Sequence, residues 1–194
     1  MNGSIPTLFE LQAALIVGRL VPDNGCSEAS FRASLSGVAT GGLHREQHLE
    51  RGQEVLELAQ LLDVSDAWYQ PTSDLQILLN LPADLAAELL LQRAILTRPP
   101  LWLFAAVAEE SVLWENVPDE DSRALRQAIG ESDRREALLL ALGRKFDQDR
   151  LSELGSQGED HVVERCRVYL LSQGREDLAQ AVKKVSDYSD QLGY

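Results

Sequence analysis

The stretch Val64-Ser65-Asp66-Ala67-Trp68-Tyr69-Gln70-Pro71-Thr72 decides the fold of the first part of the chain. The turn-forming pair Ser65-Asp66 precedes a short aromatic segment, and this order predicts a small β-hairpin or wing. Upstream of the hairpin, apolar residues recur at helical spacing in three segments. The hairpin is therefore expected to follow three helices.

Each of these helices has its own start or stop signal. The first opens at Thr7, which forms a capping box with Glu10. The second is capped by Ser27 and ends at Gly37. The third runs over about 43–63. Three helices and a hairpin resemble a winged-helix domain.

The fold class predicted is mainly α, with a winged-helix-like N-terminal domain followed by a helical domain. The winged-helix-like domain covers 1–72 and the helical domain 73–145, which is punctuated by prolines that interrupt helices. Within it, Leu101 to Val107 is apolar all round and is expected to be buried. A later helical stretch, Ala137 to Leu142, is expected to end at Gly143.

Composition limits the classes of function. The chain has 194 residues, 44% of them hydrophobic, and a net charge of −13, with the acidity spread along its length. Without a strongly basic half, high-affinity and sequence-blind nucleic-acid binding by the chain alone is not expected. A small basic patch, or a partner that supplies positive charge, remains compatible with this composition.

Location and metal binding are predicted from what the sequence lacks. Cys26 and Cys166 have no Cys or His at metal-ligand spacing, so no zinc site follows from them. The N-terminus does not resemble a signal peptide, and no apolar run approaches the length of a membrane span. We expect a cytoplasmic protein without membrane contact.

The final segment, 146–194, carries a family resemblance. It contains Gly158-Glu159 at the predicted opening of an amphipathic helix, a Val-rich segment, and Ser189-Asp190-Gln191-Leu192-Gly193-Tyr194. These features resemble the start of the domain named after the C-terminus of the NO VEIN protein. That family is similar to the PD-(D/E)XK nucleases and recurs in bacterial anti-phage and restriction-type proteins. The resemblance implies that 146–194 is the start of a truncated nuclease-like domain, a helix plus a following strand.

The resemblance implies which residues would hold a metal. Glu159 corresponds to the carboxylate of the family's helix, while the Asp would directly follow Tyr194 and the Glu-x-Lys strand is missing. Mg²⁺, which prefers several well-placed oxygens, is expected only if the nuclease core were present. The catalytic site is therefore expected to be incomplete in this chain. Ser156 with Glu159 also has the pattern of a capping box, and the two interpretations are compatible.

Other candidate residues lie near the third helix. His44, Arg45 and Arg51 are candidate nucleic-acid contacts if this helix is a recognition helix, although glutamates are interspersed among them. His44 and His48 have a spacing that binds metal, but a solvated helix face is favoured. Trp68, Trp102 and Trp114 are expected in the core rather than as stacking platforms.

Three functions follow from these features. The leading hypothesis is a non-catalytic regulatory or recognition region of a nuclease-type anti-phage defence or restriction protein, acting through protein contacts and possibly DNA. Full-length relatives would be Mg²⁺-dependent DNA endonucleases. The alternatives are an acidic helical subunit that docks a partner with a basic surface, and a winged-helix DNA-binding protein. DNA binding by this chain alone is expected to be weak.

Overall fold

The structure is a computed structural model that describes residues 4–40, 45–107 and 111–183, with only the backbone over 148–159. Two compact units divide it, Met1–Gly143 and Arg144–Tyr194. The elements are α1 (Leu8–Leu20), β1 (Cys26–Ser27), α2 (Glu28–Thr40), α3 (Glu46–Leu58), β2 (Leu62–Ser65), β3 (Trp68–Pro71), α4 (Ser73–Leu79), α5 (Ala83–Thr97), α6 (Leu101–Ala106), a 3-10 turn (Trp114–Asn116), α7 (Asp119–Ala128), α8 (Ser132–Ser172) and α9 (Glu176–Ala181). The prediction of a mainly helical fold is confirmed.

The helix α1 begins with the predicted capping box. The Thr7 hydroxyl accepts the backbone N–H of Glu10 at 3.3 Å, and the Thr7 N–H donates to the Glu10 carboxylate at 2.8 Å. These two bonds satisfy donors that the first turn of a helix leaves free. The start of α1 is thereby fixed at the residue that the sequence indicates.

Among the described helices of the first unit, α1 and α3 pack together most extensively. A side-chain carbon added to Gly52 would lie 2.6 Å from the backbone of Ala13, so the two helices approach at van der Waals distance. Around this point the leucines of both helices are fully buried, namely Leu11, Leu49 and Leu56. The α1–α3 contact is the centre of the core.

The predicted hairpin is present, and the structure adds a strand to it. The strands β2 and β3 pair in antiparallel register from Leu62 opposite Pro71 to Ser65 opposite Trp68. Asp66 and Ala67 form the turn, both with positive φ. On its other edge β3 pairs with the two residues of β1, a strand that no sequence pattern predicts, so the strand order is β1-β3-β2.

Several predicted helix limits are wrong. The helix α2 continues through Gly37 to Thr40, since an exposed glycine lowers helix stability without forcing an end. The helix α8 likewise continues through Gly143, where a side-chain carbon would lie 2.5 Å from Val107. Gly143 therefore permits a close packing contact and does not end the helix.

The segment Leu101 to Val107 is only partly buried, which corrects the expectation that it is buried all round. Within α6, Leu103 and Ala106 are fully buried, whereas Leu101 is 86% and Phe104 47% exposed. A single surface helix has one face toward the core and leaves the other in solvent. In α6 both the buried side and the solvent-exposed side of the helix carry apolar side chains.

Helices on either side of the predicted boundary at 72/73 pack together in the first unit. The helix α1 contacts α2 and α3 before that boundary, and α4, α5 and α7 after it. A buried carboxylate adds to this packing. Asp121 of α7 accepts the backbone N–H of Ile5 at 3.1 Å and the indole N–H of Trp102. It thereby ties the residues before α1 to α6 and α7.

The second unit consists of the rest of α8 and of α9. The helix passes through Gly158 and Glu159 without interruption, so the predicted helix opening and the capping box at Ser156 are wrong. After α8 the chain turns at Gly174, whose φ is +71°, and Arg167 donates to the carbonyl oxygen of Val182 at 3.0 Å. The strand expected toward Tyr194 lies outside the described residues.

Candidate protein-docking surface

The helix α3 has one buried and one charged side. Its buried residues, Leu49, Gly52, Val55 and Leu56, are spaced three or four apart and face the core. On the other side Glu46, Glu50 and Glu57 are exposed. With the half-exposed Glu54, the helix presents four carboxylates, and we call these four residues the α3 acidic face.

Two arginines near this face form ion pairs with its carboxylates. Arg51 donates to Glu54 at 2.8 Å, and Arg32 of α2 lies 3.6 Å from Glu50. Both pairs are about half exposed, so each adds little to stability. Glu46 and Glu57 form no ion pair within the described residues.

The predicted nucleic-acid contacts do not lie on one side of α3. Arg45 is the exposed residue before the first turn, and its side chain makes no capping bond. Arg51 follows six residues later, which at about 100° per residue places it about 120° around the helix. His44 lies outside the described residues. Arg45 and Arg51 therefore do not face the same side of the helix and could not contact one row of DNA phosphates together.

The other residues predicted to form a site either pack against the fold or have side chains outside the described part of the structure. The imidazole of His48 packs edge-on against the ring of Phe9, with 4.5 Å between their centroids. The backbone of Glu159 lies within α8, and its side chain is outside the described part. Within the described residues, no three or more His, Cys, Asp or Glu side chains are placed to hold a metal ion.

The prediction that Trp68 is a core residue is wrong, because this side chain is 45% exposed. In a sheet, directly paired residues share a face and successive residues alternate. Trp68 is paired with Ser27 of β1 and Ser65 of β2, so its face also contains Gln70 and, opposite Gln70, Asp63. We call these five residues the outer sheet face.

The opposite sheet face explains why Trp68 points outward. Tyr69, the next residue, is buried and stacks on Phe31 of α2 with 4.3 Å between ring centroids. One of two adjacent aromatic residues in a strand must face away from the core. The sequence alone did not reveal which of them occupies it, because the alternation is only readable once the register is known.

An apolar groove lies between α4 and α5, and no pattern in the sequence predicts it. Its volume is about 610 Å³. On its rim Arg93 forms an ion pair with Asp74 and donates to the carbonyl oxygen of Ala59 at 2.9 Å. The apolar lining residues are Leu61, Ile77, Leu78, Leu81, Leu89 and Leu96. With one acid and one base on the rim, the groove has no charge preference.

Burial changes the acidity of two groups in the first unit. It raises the pKa of the Asp121 carboxyl, against the opposing effect of the hydrogen bonds from Trp102 and Ile5. It also raises the pKa of the Cys26 thiol. Both shifts arise because a charged form loses hydration when it is buried.

No helix in the described part of the chain is both long and apolar enough to cross a membrane.

Comparison with known proteins found no matching family model, curated protein or solved structure.

Proposed function

We propose that this chain is a non-catalytic recognition region of a nuclease-type anti-phage defence or restriction protein, and that it acts through protein contacts. The observation that carries the proposal is the α3 acidic face, on which four carboxylates share one side of the helix. Such a surface favours a partner with basic side chains, and salt weakens the association.

The winged-helix-like interpretation belongs to this proposal. The element order α1-β1-α2-α3-β2-β3 and the strand order β1-β3-β2 support it, since three helices precede a hairpin. In that arrangement α3 takes the place of the recognition helix and the β2–β3 hairpin that of the wing.

Electrostatics supports a protein partner over DNA. Duplex DNA carries a negative charge for about every 1.7 Å of its axis, and proteins bind it by neutralising phosphates with Lys and Arg. A recognition helix that contains four glutamates and one arginine, Arg51, has the opposite balance. The wing adds the exposed carboxylates of Asp63 and Asp66.

The nuclease-type context rests on the resemblance of 146–194. Glu159 lies within a helix, α8, as the helix carboxylate of that family does. The proposed location is the cytoplasm, where free thiols such as Cys26 and Cys166 stay reduced.

Two assays on the purified chain test this proposal. Incubation with Mg²⁺ or Mn²⁺ should leave plasmid and linear DNA intact, and cleavage that Glu159→Ala abolishes would refute the non-catalytic role. In a gel-shift titration at physiological salt, duplex DNA should bind more weakly than about 1 µM. Tighter binding with a steep salt dependence would show instead that the chain is a DNA-binding protein.

A further inference from the structure

We infer that the outer sheet face is a docking site for an arginine side chain of a protein partner, and that Trp68 is the residue on which the guanidinium stacks. This inference rests on the proposed docking function and adds to the α3 acidic face a second contact, on the sheet, with a stated ligand chemistry. The occupant is one cationic side chain of a polypeptide.

The indole of Trp68 is held in place before any partner arrives. Its N–H donates to the amide oxygen of Gln70 at 3.4 Å, and Gln70 in turn donates to the carbonyl oxygen of Asp23 at 3.2 Å. The loop before β1 closes against the ring, because a side-chain carbon on Gly25 would lie 2.4 Å from the indole nitrogen. A fixed ring loses little entropy on binding.

The neighbours of Trp68 leave room for a planar cation. Trp68 lies on the central strand, and the residues directly opposite on both sides are the small, exposed Ser27 and Ser65. Large side chains at these two positions would cover the ring. The serines leave the exposed part of the indole accessible.

The charge around the ring selects a cation. Asp63 lies on the same face as Trp68, and Asp66 occupies the adjoining turn, both exposed. The five residues of the outer sheet face include no Lys or Arg, so none of them competes for the ring. A guanidinium over an indole is attracted by the ring's quadrupole and is weakly hydrated. Nearby carboxylates add attraction, which makes arginine the best match.

The experiment uses the full chain and two synthetic hexapeptides. One peptide alternates arginine with serine, and the other replaces arginine by citrulline, which has nearly the same shape without charge. Binding is followed by NMR at the indole N–H of Trp68, assigned through Trp68→Phe. We expect the arginine peptide to shift this signal and the citrulline peptide to leave it in place.

Substitutions separate the ring from general acidity. Trp68→Ala should weaken the affinity for the arginine peptide by about two- to fivefold, the range of an exposed cation–π contact, and Trp68→Phe should weaken it by less. Phe104→Ala on α6, which removes an aromatic residue of similar exposure, should leave the affinity unchanged. Equal affinity of the wild type and Trp68→Ala, or equal shifts with both peptides, would overturn the inference.

A fourth variant distinguishes this inference from the proposed function. Glu46→Gln/Glu50→Gln/Glu57→Gln neutralises three positions of the α3 acidic face without touching the sheet. If this variant and Trp68→Ala both weaken binding of the peptide, the proposed function and the inference both stand. If only the glutamine variant weakens it, docking through α3 stands and the inference fails. If Trp68→Ala alone weakens the peptide, the inference stands and the docking face moves to the sheet. If neither does, both fail.

Discussion

Gly52 is the residue on which the helix packing depends most directly. It has an ordinary helical backbone, so any residue fits its conformation, but a side-chain carbon there would lie 2.6 Å from the backbone of Ala13 and Ala14. Backbone atoms cannot move aside as the end of a flexible side chain does. The glycine is therefore required by the distance between α1 and α3.

We expect Gly52→Ala to lower the free energy of unfolding by about 1–3 kcal/mol, the usual cost of overpacking. The matched control is Gly37→Ala in α2, where nothing lies within 4 Å of the added carbon. Since alanine favours helix, this variant should gain about 0.5–1 kcal/mol. Urea unfolding followed by circular dichroism measures both. Equal effects of the two substitutions would contradict the packing described for α1 and α3.

Trp68 shows what sequence reasoning misses at the scale of one residue. Aromatic residues are usually buried, and the sequence does not say which of Trp68 and Tyr69 faces the core. The pairing of Trp68 with Ser27 and Ser65 decides it. The glutamates of α3, in contrast, could be recognised from the sequence, because a strongly charged helix face is visible in the residue spacing without tertiary information.

At the scale of elements, local signals were predicted better than long-range ones. The β2–β3 hairpin follows from a turn signal within nine residues, and α1 from a capping box. The strand β1 has only two residues and exists through its pairing with β3, over 40 residues away. The continuity of α8 was missed because a glycine both ends helices and permits close contacts, and only packing distinguishes the two.

The hairpin turn offers a test at this scale. Ala67 has a φ of 59°, a region that costs an L-residue about 1–2 kcal/mol and costs glycine almost nothing. We expect Ala67→Gly to raise the free energy of unfolding by about 0.5–1 kcal/mol, after the entropy cost of glycine is subtracted.

The control for this turn is Ala33→Gly on the exposed side of α2, where glycine should cost about 1 kcal/mol. Thermal unfolding of the two variants gives the comparison. A loss of stability in Ala67→Gly similar to that of Ala33→Gly would show that the turn does not have the left-handed conformation.

For the first unit as a whole, Asp121 couples stability to pH. Because burial raises the pKa of this carboxyl, the folded state binds a proton more tightly than the unfolded state does. Its contribution to the free energy of unfolding therefore increases as pH falls through the pKa of the folded state. The increase ends near the ordinary Asp value, at which the unfolded chain is protonated too.

Asp121→Asn removes this titration, so the difference between wild type and variant isolates the effect of the carboxyl. We expect the wild type to gain stability relative to Asp121→Asn as pH falls from 7 toward the ordinary pKa of Asp, about 4. Urea unfolding at several pH values measures the difference. A relative loss over that range would mean that the hydrogen bonds from Ile5 and Trp102 outweigh the desolvation of the carboxylate.

At the scale of the whole molecule, the negative charge of the candidate recognition helix determines which partner it binds. An NMR map of backbone amide shifts tests this, recorded with the arginine–serine hexapeptide and then with a duplex DNA at the same ionic strength. We expect the peptide to shift amides of α3 around Glu46, Glu50 and Glu57, and the duplex to leave them unchanged. Shifts of these amides by the duplex, with none from the peptide, would contradict it.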